Sequence, residues 1–477
     1  MSQSEEEVGE LAPAQEGLYF LQLLVPDSSA YNSCCATRLR GLDVLRFRQA
    51  GERLVQRHPQ LRARFEATPE GPRQRVRAVG RFDFTLEDAR GSSASELQDR
   101  LQRQVHRPFD LALGDLLRVT AFQVGPGEHV VLFSIHHAIS DLWSAGLMLE
   151  ELGLLYGELT HGAPASLAEP AIHYLTYARR MRERLAGGEG EALWAFWREE
   201  LEGALVPLRL PAERPRPELP GLKGGTVRAR ISPALTASVR ALSVREGAPL
   251  LAVLMATLDL QLWTYSGARD VLVSTPVHGR TRRALRGVFG QFVNSTVVRA
   301  RPGPEMTFSA LVEQVRAALF RSLRHCEYPL HALVQRLGPA ARVPLAQVQL
   351  ALQDLEQDRD PASQAFWAGE PEGRIRAGAL EYGCVPLDSE EGQFDLHLLL
   401  YSVGDELSCH LKYDADLFDP GTARRMLDDY LGLLEQACAH PKTPLGTLGR
   451  AVTAHVQVTG LSDDEVERQL RALLGGG

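Results

Sequence analysis

A chain of 477 residues with 44% apolar and 23% charged side chains has the length for two or three domains and the composition of a folded globular protein, which excludes a disordered chain and a single small module. Its net charge of -8, with arginines scattered and no long basic run, gives no electrostatic grip for nucleic acid. Six cysteines, of which only Cys34 and Cys35 lie close together, provide neither a disulfide framework nor metal-ligand spacing, so no metal site is expected and a reducing cytoplasm fits best.

The acidic start "MSQSEEEVGELAP" lacks the charged head and apolar core of a secretory signal. Val44, Phe47, Gly51, Leu54 and Val55 recur at helical spacing up to "RHP", where Pro59 ends the helix. In "LRARFEA", Leu61, Ala63 and Phe65 then alternate as in a half-buried strand. The nearly continuous apolar run "HVVLFSI", residues 129–135, predicts a strand covered on both faces. After it, Met148, Leu152, Leu155 and Leu159 mark a helix, so the intervening "SIHHAISDLWS" sits on a strand-to-helix turn.

Five prolines in "VPLRLPAERPRPELPG", residues 206–221, rule out a helix or a central strand and predict an extended connector. Ser232 caps a helix that has Pro233 in its first turn, Leu235, Val239 and Leu242 on its apolar face and Gly247 as its stop. The segment "PLLAVLMATLDLQLWTY", residues 249–265, is interrupted by Thr257, Asp259 and Gln261, so it reads as a buried core helix and not a membrane span. The strand "DVLVSTPV", residues 270–277, follows. At the end, Ser462 and Glu465 form a capping box for a short amphipathic helix with a glycine tail.

No nucleophile elbow, P-loop, Rossmann glycine pattern or His-Glu-x-x-His zinc motif is present. The chemistry-bearing feature is the pair His136 and His137 with Asp141. Adjacent side chains on extended backbone point to opposite faces, so one imidazole can be reactive while the other is structural. An imidazole titrating near ~6.5 suits proton transfer at neutral pH. Asp141 has two tasks open to it, capping the next helix or pairing with a cation. Spacing alone leaves the motif between a catalytic base and a satisfied strand end.

The stretch resembles the His-His-x-x-x-Asp-Gly signature of condensation domains of nonribosomal peptide synthetases, in the superfamily of chloramphenicol acetyltransferase. "LAPAQEGLYFLQLLVPDSSAYN", "RHPQLRARF", "FDLALGDLLRV", "LRLPAERPRP", "DVLVSTPVHGR", "GQFVNSTVVR", "CEYPLHALVQRL", "PLAQVQLALQDL" and "YDADLFD" are similar to further family segments and stand in the family's order. The likeness runs from about residue 11 to 450.

This resemblance implies a mixed α/β fold of two acetyltransferase-like lobes in a V-shaped pseudo-dimer, with a tunnel between them. The expected lobes are residues 1–176 and 177–450, with 451–477 as a linker and tail helix. It implies His137 as the catalytic residue and His136 as its packed neighbour. Asp141 is implied as structural, paired with Arg280, although Arg280 lies among Arg282, Arg283 and Arg286 and could by position belong to a solvated basic face. Leu142, Trp143 and Ser144 are expected along the substrate tunnel. Gly290, Gln291, Phe292 and Asn294 are expected in a loop bridging the lobes, Asn294 being also an ordinary turn residue type.

Two departures stand out. Leu142 replaces the signature's glycine, and "DLWS" looks like the subgroup that accepts polyketide-derived donors. Gln291 replaces a usual aromatic, which puts the packing of the bridging loop in question. The implied reaction joins a carrier-bound acyl thioester to the amine of a carrier-bound aminoacyl group, both on 4'-phosphopantetheine arms. The implied partners are donor and acceptor carrier proteins and neighbouring synthetase or polyketide synthase domains, without nucleic acid or membrane. The chain has no phosphopantetheine-bearing Gly-Gly-x-Ser-Leu segment. Alternatives are ester formation or transfer to a small acceptor by the same histidine, or a non-catalytic recruitment module, against which the intact His136, His137 and Asp141 argue.

Overall fold

Two six-stranded sheets organise the molecule, in a computed structural model that describes residues 6–162, 164–217, 221–353, 360–388 and 391–449. The first has the spatial order Arg374–Ala377, Leu380–Val385, Asn32–Arg40, Glu128–His136, Leu117–Gly125 and Asp83–Asp88. The second runs Asn294–Ala300, Val271–Val277, Val348–Gln353, Leu396–Val403, Glu406–Asp414 and Gly224–Ile231. A small third sheet joins Glu7–Glu10, Gly71–Val76 and Ala63–Thr68.

The unbroken apolar run at 129–135 has its cause in the first sheet. Glu128–His136 is a central strand, antiparallel to both neighbours. Its Val131, Phe133 and Ile135 enter one core and Val130 and Leu132 the core on the opposite face, so neither side of the strand meets water. Each large side chain fully buried there contributes about 1.5–3 kcal/mol. Helix Leu142–His161 follows from this strand and packs into the core of Val131, Phe133 and Ile135 through Met148, Leu149, Leu152 and Leu155.

In the second sheet, helices Pro233–Arg245, Leu250–Ser266, Phe308–Arg324 and Pro420–Ala439 share one core with Val271, Val273, Leu398 and Leu400. Ser232 caps the first of them by accepting the Leu235 N–H, with Pro233 at its start. Helix Leu250–Ser266 is buried along most of its length, which explains its lack of an apolar stripe. No single helix among the described residues is long and apolar enough to cross a membrane.

Three expectations need adjustment or fall outside the structure. The strand expected over "LRARFEA" starts at Ala63, because Pro59–Arg62 forms a tight 3-10 turn that buries Leu61. The boundary at 176/177 does not divide the sheets. Arg374–Ala377 and Leu380–Val385 leave the second half of the chain and extend the first sheet, Leu380–Val385 pairing with Asn32–Arg40. The tail helix expected at 462–474, within the 451–477 segment, lies outside the described residues.

Candidate active site

The end of strand Glu128–His136 sends its two histidines to different environments. His136 continues the strand's alternation and is fully buried, edge-on to Phe109 at 6.1 Å. Its Nδ1 accepts the Ala138 N–H at 3.0 Å, so Nε2 carries the proton and faces Gln22 Oε1 at 3.3 Å. Burial, reinforced by the neighbouring His137, pushes its pKa down to about 3. It is a neutral, doubly bonded structural imidazole.

His137 opens a one-turn 3-10 segment, His137–Ile139, its backbone N–H held by the Tyr31 carbonyl at 2.8 Å. The side chain is only partly buried. Its Nδ1 lies 2.7 Å from the Ser140 carbonyl oxygen. A carbonyl can only accept, so Nδ1 bears a proton, and in the neutral ring Nε2 is the nitrogen that keeps its lone pair. The fold thus selects one tautomer and leaves the basic nitrogen for other work.

Four residues on, Asp141 performs both tasks that its position allowed. As N-cap of helix Leu142–His161, its Oδ1 accepts the Ser144 N–H at 2.9 Å, while Oδ2 bonds Arg280 Nη1 and accepts the Phe292 N–H at 3.2 Å. Both partners of the ion pair are buried, whereas Arg282, Arg283 and Arg286 are exposed. Arg280 is therefore no member of a solvated face. Its Nη2 also donates to Ser144 Oγ at 2.9 Å, the Val288 carbonyl at 3.1 Å and the Gly290 carbonyl at 3.3 Å. Its plane lies 4.1 Å from the Phe292 ring centre, a cation–π contact in a dry site.

Ser144 corrects an expectation. Expected along the tunnel with Leu142 and Trp143, it is instead fully buried. Its hydroxyl oxygen accepts the Gly290 N–H at 3.2 Å and has Asp141 Oδ1 and the Gly290 carbonyl both at 2.9 Å. As third residue of the helix it points back toward its own cap and not outward. Leu142 and Trp143 are each 39% exposed, and the Trp143 indole donates to the Arg286 carbonyl at 2.8 Å.

The segment Gly290–Asn294 crosses to this network. Gln291, which replaces the usual aromatic, is buried without disrupting it: its amide closes on the Val293 backbone, and its carbonyl accepts the Tyr174 hydroxyl. Aromatic packing comes from Phe292 instead, 4.6 Å from Tyr177 and 5.1 Å from Tyr174 between ring centres. Asn294 is more than a turn residue. It donates to the Cys326 and Tyr328 carbonyls at 2.7 and 2.9 Å and accepts the Leu330 N–H at 3.1 Å.

Sequence reading missed several supports. Gln15 is fully buried and donates to the Ala138 carbonyl at 2.8 Å, and Gln22 positions His136. Two glutamines inside the largely apolar "LAPAQEGLYFLQLL" were a usable signal, since a buried amide needs partners. Tyr174 and Tyr177, one helical turn apart, hold Phe292. Elsewhere, burial pushes the Cys34, Cys35, Cys384 and Cys409 thiols up to about 12, leaving none of these as a ready nucleophile.

The family model "Condensation domain" matches residues 5–455, and the chain belongs to that family. Among curated relatives it is 30% identical over 451 residues to chondramide synthase cmdD of Chondromyces crocatus, covering 93% of this chain and 11% of that protein. It is 30% identical over 421 residues to malpinin synthetase of Mortierella alpina, covering 87% of this chain and 5% of that protein. The chain thus spans only a small part of each. Among solved structures, it matches holo-AB3403, a four-domain nonribosomal peptide synthetase bound to AMP and glycine, with a TM-score of 0.84, 25% identity and coverage of 94% and 34% of the two chains. The X-domain from teicoplanin biosynthesis shares the fold, with a TM-score of 0.83, 24% identity and coverage of 93% and 98%.

Proposed function

We propose that this chain joins a carrier-bound acyl thioester to the amine of a carrier-bound aminoacyl group, with His137 as the catalytic residue. The observation that carries this reading is the hydrogen bond from His137 Nδ1 to the Ser140 carbonyl at 2.7 Å, which in the neutral ring places the proton on Nδ1 and the lone pair on Nε2 of a partly exposed side chain. The acceptor amine attacks the thioester carbon and passes its proton to Nε2. The tetrahedral adduct then collapses, the C–S bond breaks, and the same proton passes to the departing pantetheine sulfur. No covalent enzyme intermediate is needed.

Both reactants arrive on 4'-phosphopantetheine arms of separate carrier proteins, entering a passage between the lobes from opposite sides. Neighbouring synthetase or polyketide synthase domains supply those carriers. Positioning two tethered reactants contributes about 7–11 kcal/mol, whereas general-base help contributes about 10²- to 10⁴-fold, so most of the rate comes from the meeting place. Asp141, Arg280 and Ser144 hold the turn that presents His137. Leu142 and Trp143, half-exposed on the next helical turn, favour an apolar, polyketide-derived donor.

The test is intact-mass analysis of loaded carriers mixed with the protein, wild type against His137→Ala. A loss of about 10²-fold or more in single-turnover rate is expected; an unchanged rate removes the assignment. Amine and hydroxyl acceptors run in parallel separate amide from ester formation. Equal use of aminoacyl donors would defeat the polyketide preference.

A further inference from the structure

Outside the His137–Asp141–Arg280 network lies a second buried polar cluster that the reaction does not use. Helix Val44–Arg57 ends ahead of Pro59, and the extended backbone at His58 turns that imidazole inward, to 1% exposure. His58 Nε2 lies 2.7 Å from Glu151 Oε2. The same oxygen accepts Arg57 Nε at 3.0 Å. Glu151 belongs to helix Leu142–His161 and is itself 5% exposed. A carboxylate in this setting accepts, so Nε2 of His58 donates and the ring is fixed in one orientation.

That ring rests on Phe289, 5.4 Å between centres. Phe289 occupies a particular place in the chain. Its predecessor Val288 gives a carbonyl to Arg280, and its successor Gly290 gives both its N–H and its carbonyl to Ser144. Val288 and Phe292 pack with Tyr174, whereas Phe289 alone of these enters the core of the first sheet. It is the peg by which the crossing segment is seated, and His58 is one wall of its hole.

We infer that His58, oriented by Glu151, is a positioning residue: it sets the place of Phe289 and so the register of residues 288–290 on Asp141, Ser144 and Arg280. Asp141 caps the helix that starts directly after the His137 turn, so a displaced peg is felt at the His137 ring. This inference rests on the proposed role of His137. Misplacement of reacting groups by about 1 Å costs on the order of 10²-fold, so the effect belongs in kcat and not in carrier binding.

The test compares His58→Leu, Phe289→Leu, their double variant and the milder Glu151→Gln in single-turnover and steady-state amide formation from two loaded carriers, with thermal unfolding measured on each and His137→Ala as reference. The expected result is a fall in kcat of about 10- to 100-fold for His58→Leu, KM for either carrier within about twofold, and a double variant no slower than the worse single one, because both act through one contact. Glu151→Gln, which keeps an acceptor oxygen for His58, should retain most of the rate. Multiplying effects in the double variant, or a lowered unfolding temperature with unchanged kcat, would overturn the inference; should His58→Leu fail to fold, a Phe289→Leu variant that folds and keeps the wild-type kcat overturns it too. An undiminished rate in His137→Ala would instead remove the underlying function, so the two failures are distinct.

Discussion

The two adjacent histidines show how one bond decides chemistry. His136 gives its lone pair to a backbone N–H, and His137 gives its proton to a carbonyl. The first is consumed by the fold and the second is left basic. A pH consequence follows. In the unfolded chain His136 titrates near ~6.5, whereas in the fold burial holds it at about 3. Between those values the unfolded state binds more protons, so stability is full above about pH 6.5 and falls as pH drops toward 3, by up to about 1.4 kcal/mol per pH unit for each such group. His397, also held at about 3, and His331 and His410, at about 4, act in the same direction. Urea midpoints should therefore decline steadily from pH 7 to pH 4; a flat profile would contradict the burial of these rings. The Asp141–Arg280 pair gives a second expectation. Arg280→Ala strands a buried carboxylate and should cost about 3–5 kcal/mol in urea unfolding. Arg280→Lys should recover little, because an ammonium cannot reach Asp141, Ser144 and the Val288 and Gly290 carbonyls together.

At the scale of elements, close backbone approaches set where the site can form. A side chain at Gly290 would bring its Cβ within 2.1 Å of the Tyr174 ring. Gly290→Ala should therefore displace the crossing segment, destabilise the protein by about 1–3 kcal/mol, and lower the condensation rate beyond what the stability loss explains. Rates measured well below the unfolding temperature check this. Helix Leu142–His161 meets a similar limit near its middle. A Cβ on Gly153 would lie 1.9 Å from the Ala377 carbonyl oxygen, and Gly378, at φ +56°, turns the hairpin against it. The same helix thus touches the His137 turn at its start and the strands from the second half of the chain further along. Its rigidity links the two.

For the whole molecule, the passage of two strands from the second half into the first sheet is the governing fact. Leu380–Val385 covers the edge of Asn32–Arg40, and Tyr382, fully buried, donates its hydroxyl to the Leu149 carbonyl at 3.0 Å. Residues 1–176 expressed alone would leave that edge open and the Tyr382 site empty. Such a fragment should aggregate or stay unfolded by circular dichroism, and co-expression with 177–450 should restore a soluble pair on size exclusion. A soluble, folded 1–176 fragment would show that these two strands are dispensable.

Much of this was readable from the chain by itself. Strand 128–136 announced its two-sided burial by an unbroken apolar run, Ser232 and Pro233 marked a helix start, and the histidine pair stood out among residues with no competing motif. Those signals are local, carried by periodicity, capping and backbone alternation over a few positions. The tertiary structure alone decided that Ser144 is an interior hub and not a tunnel wall, that Arg280 is buried while Arg282 and Arg283 face water, and that residues 374–385 belong to the first sheet. Each depends on groups more than a hundred positions apart meeting in space, and on which polar atoms lose their water when they do; no short-range pattern encodes that.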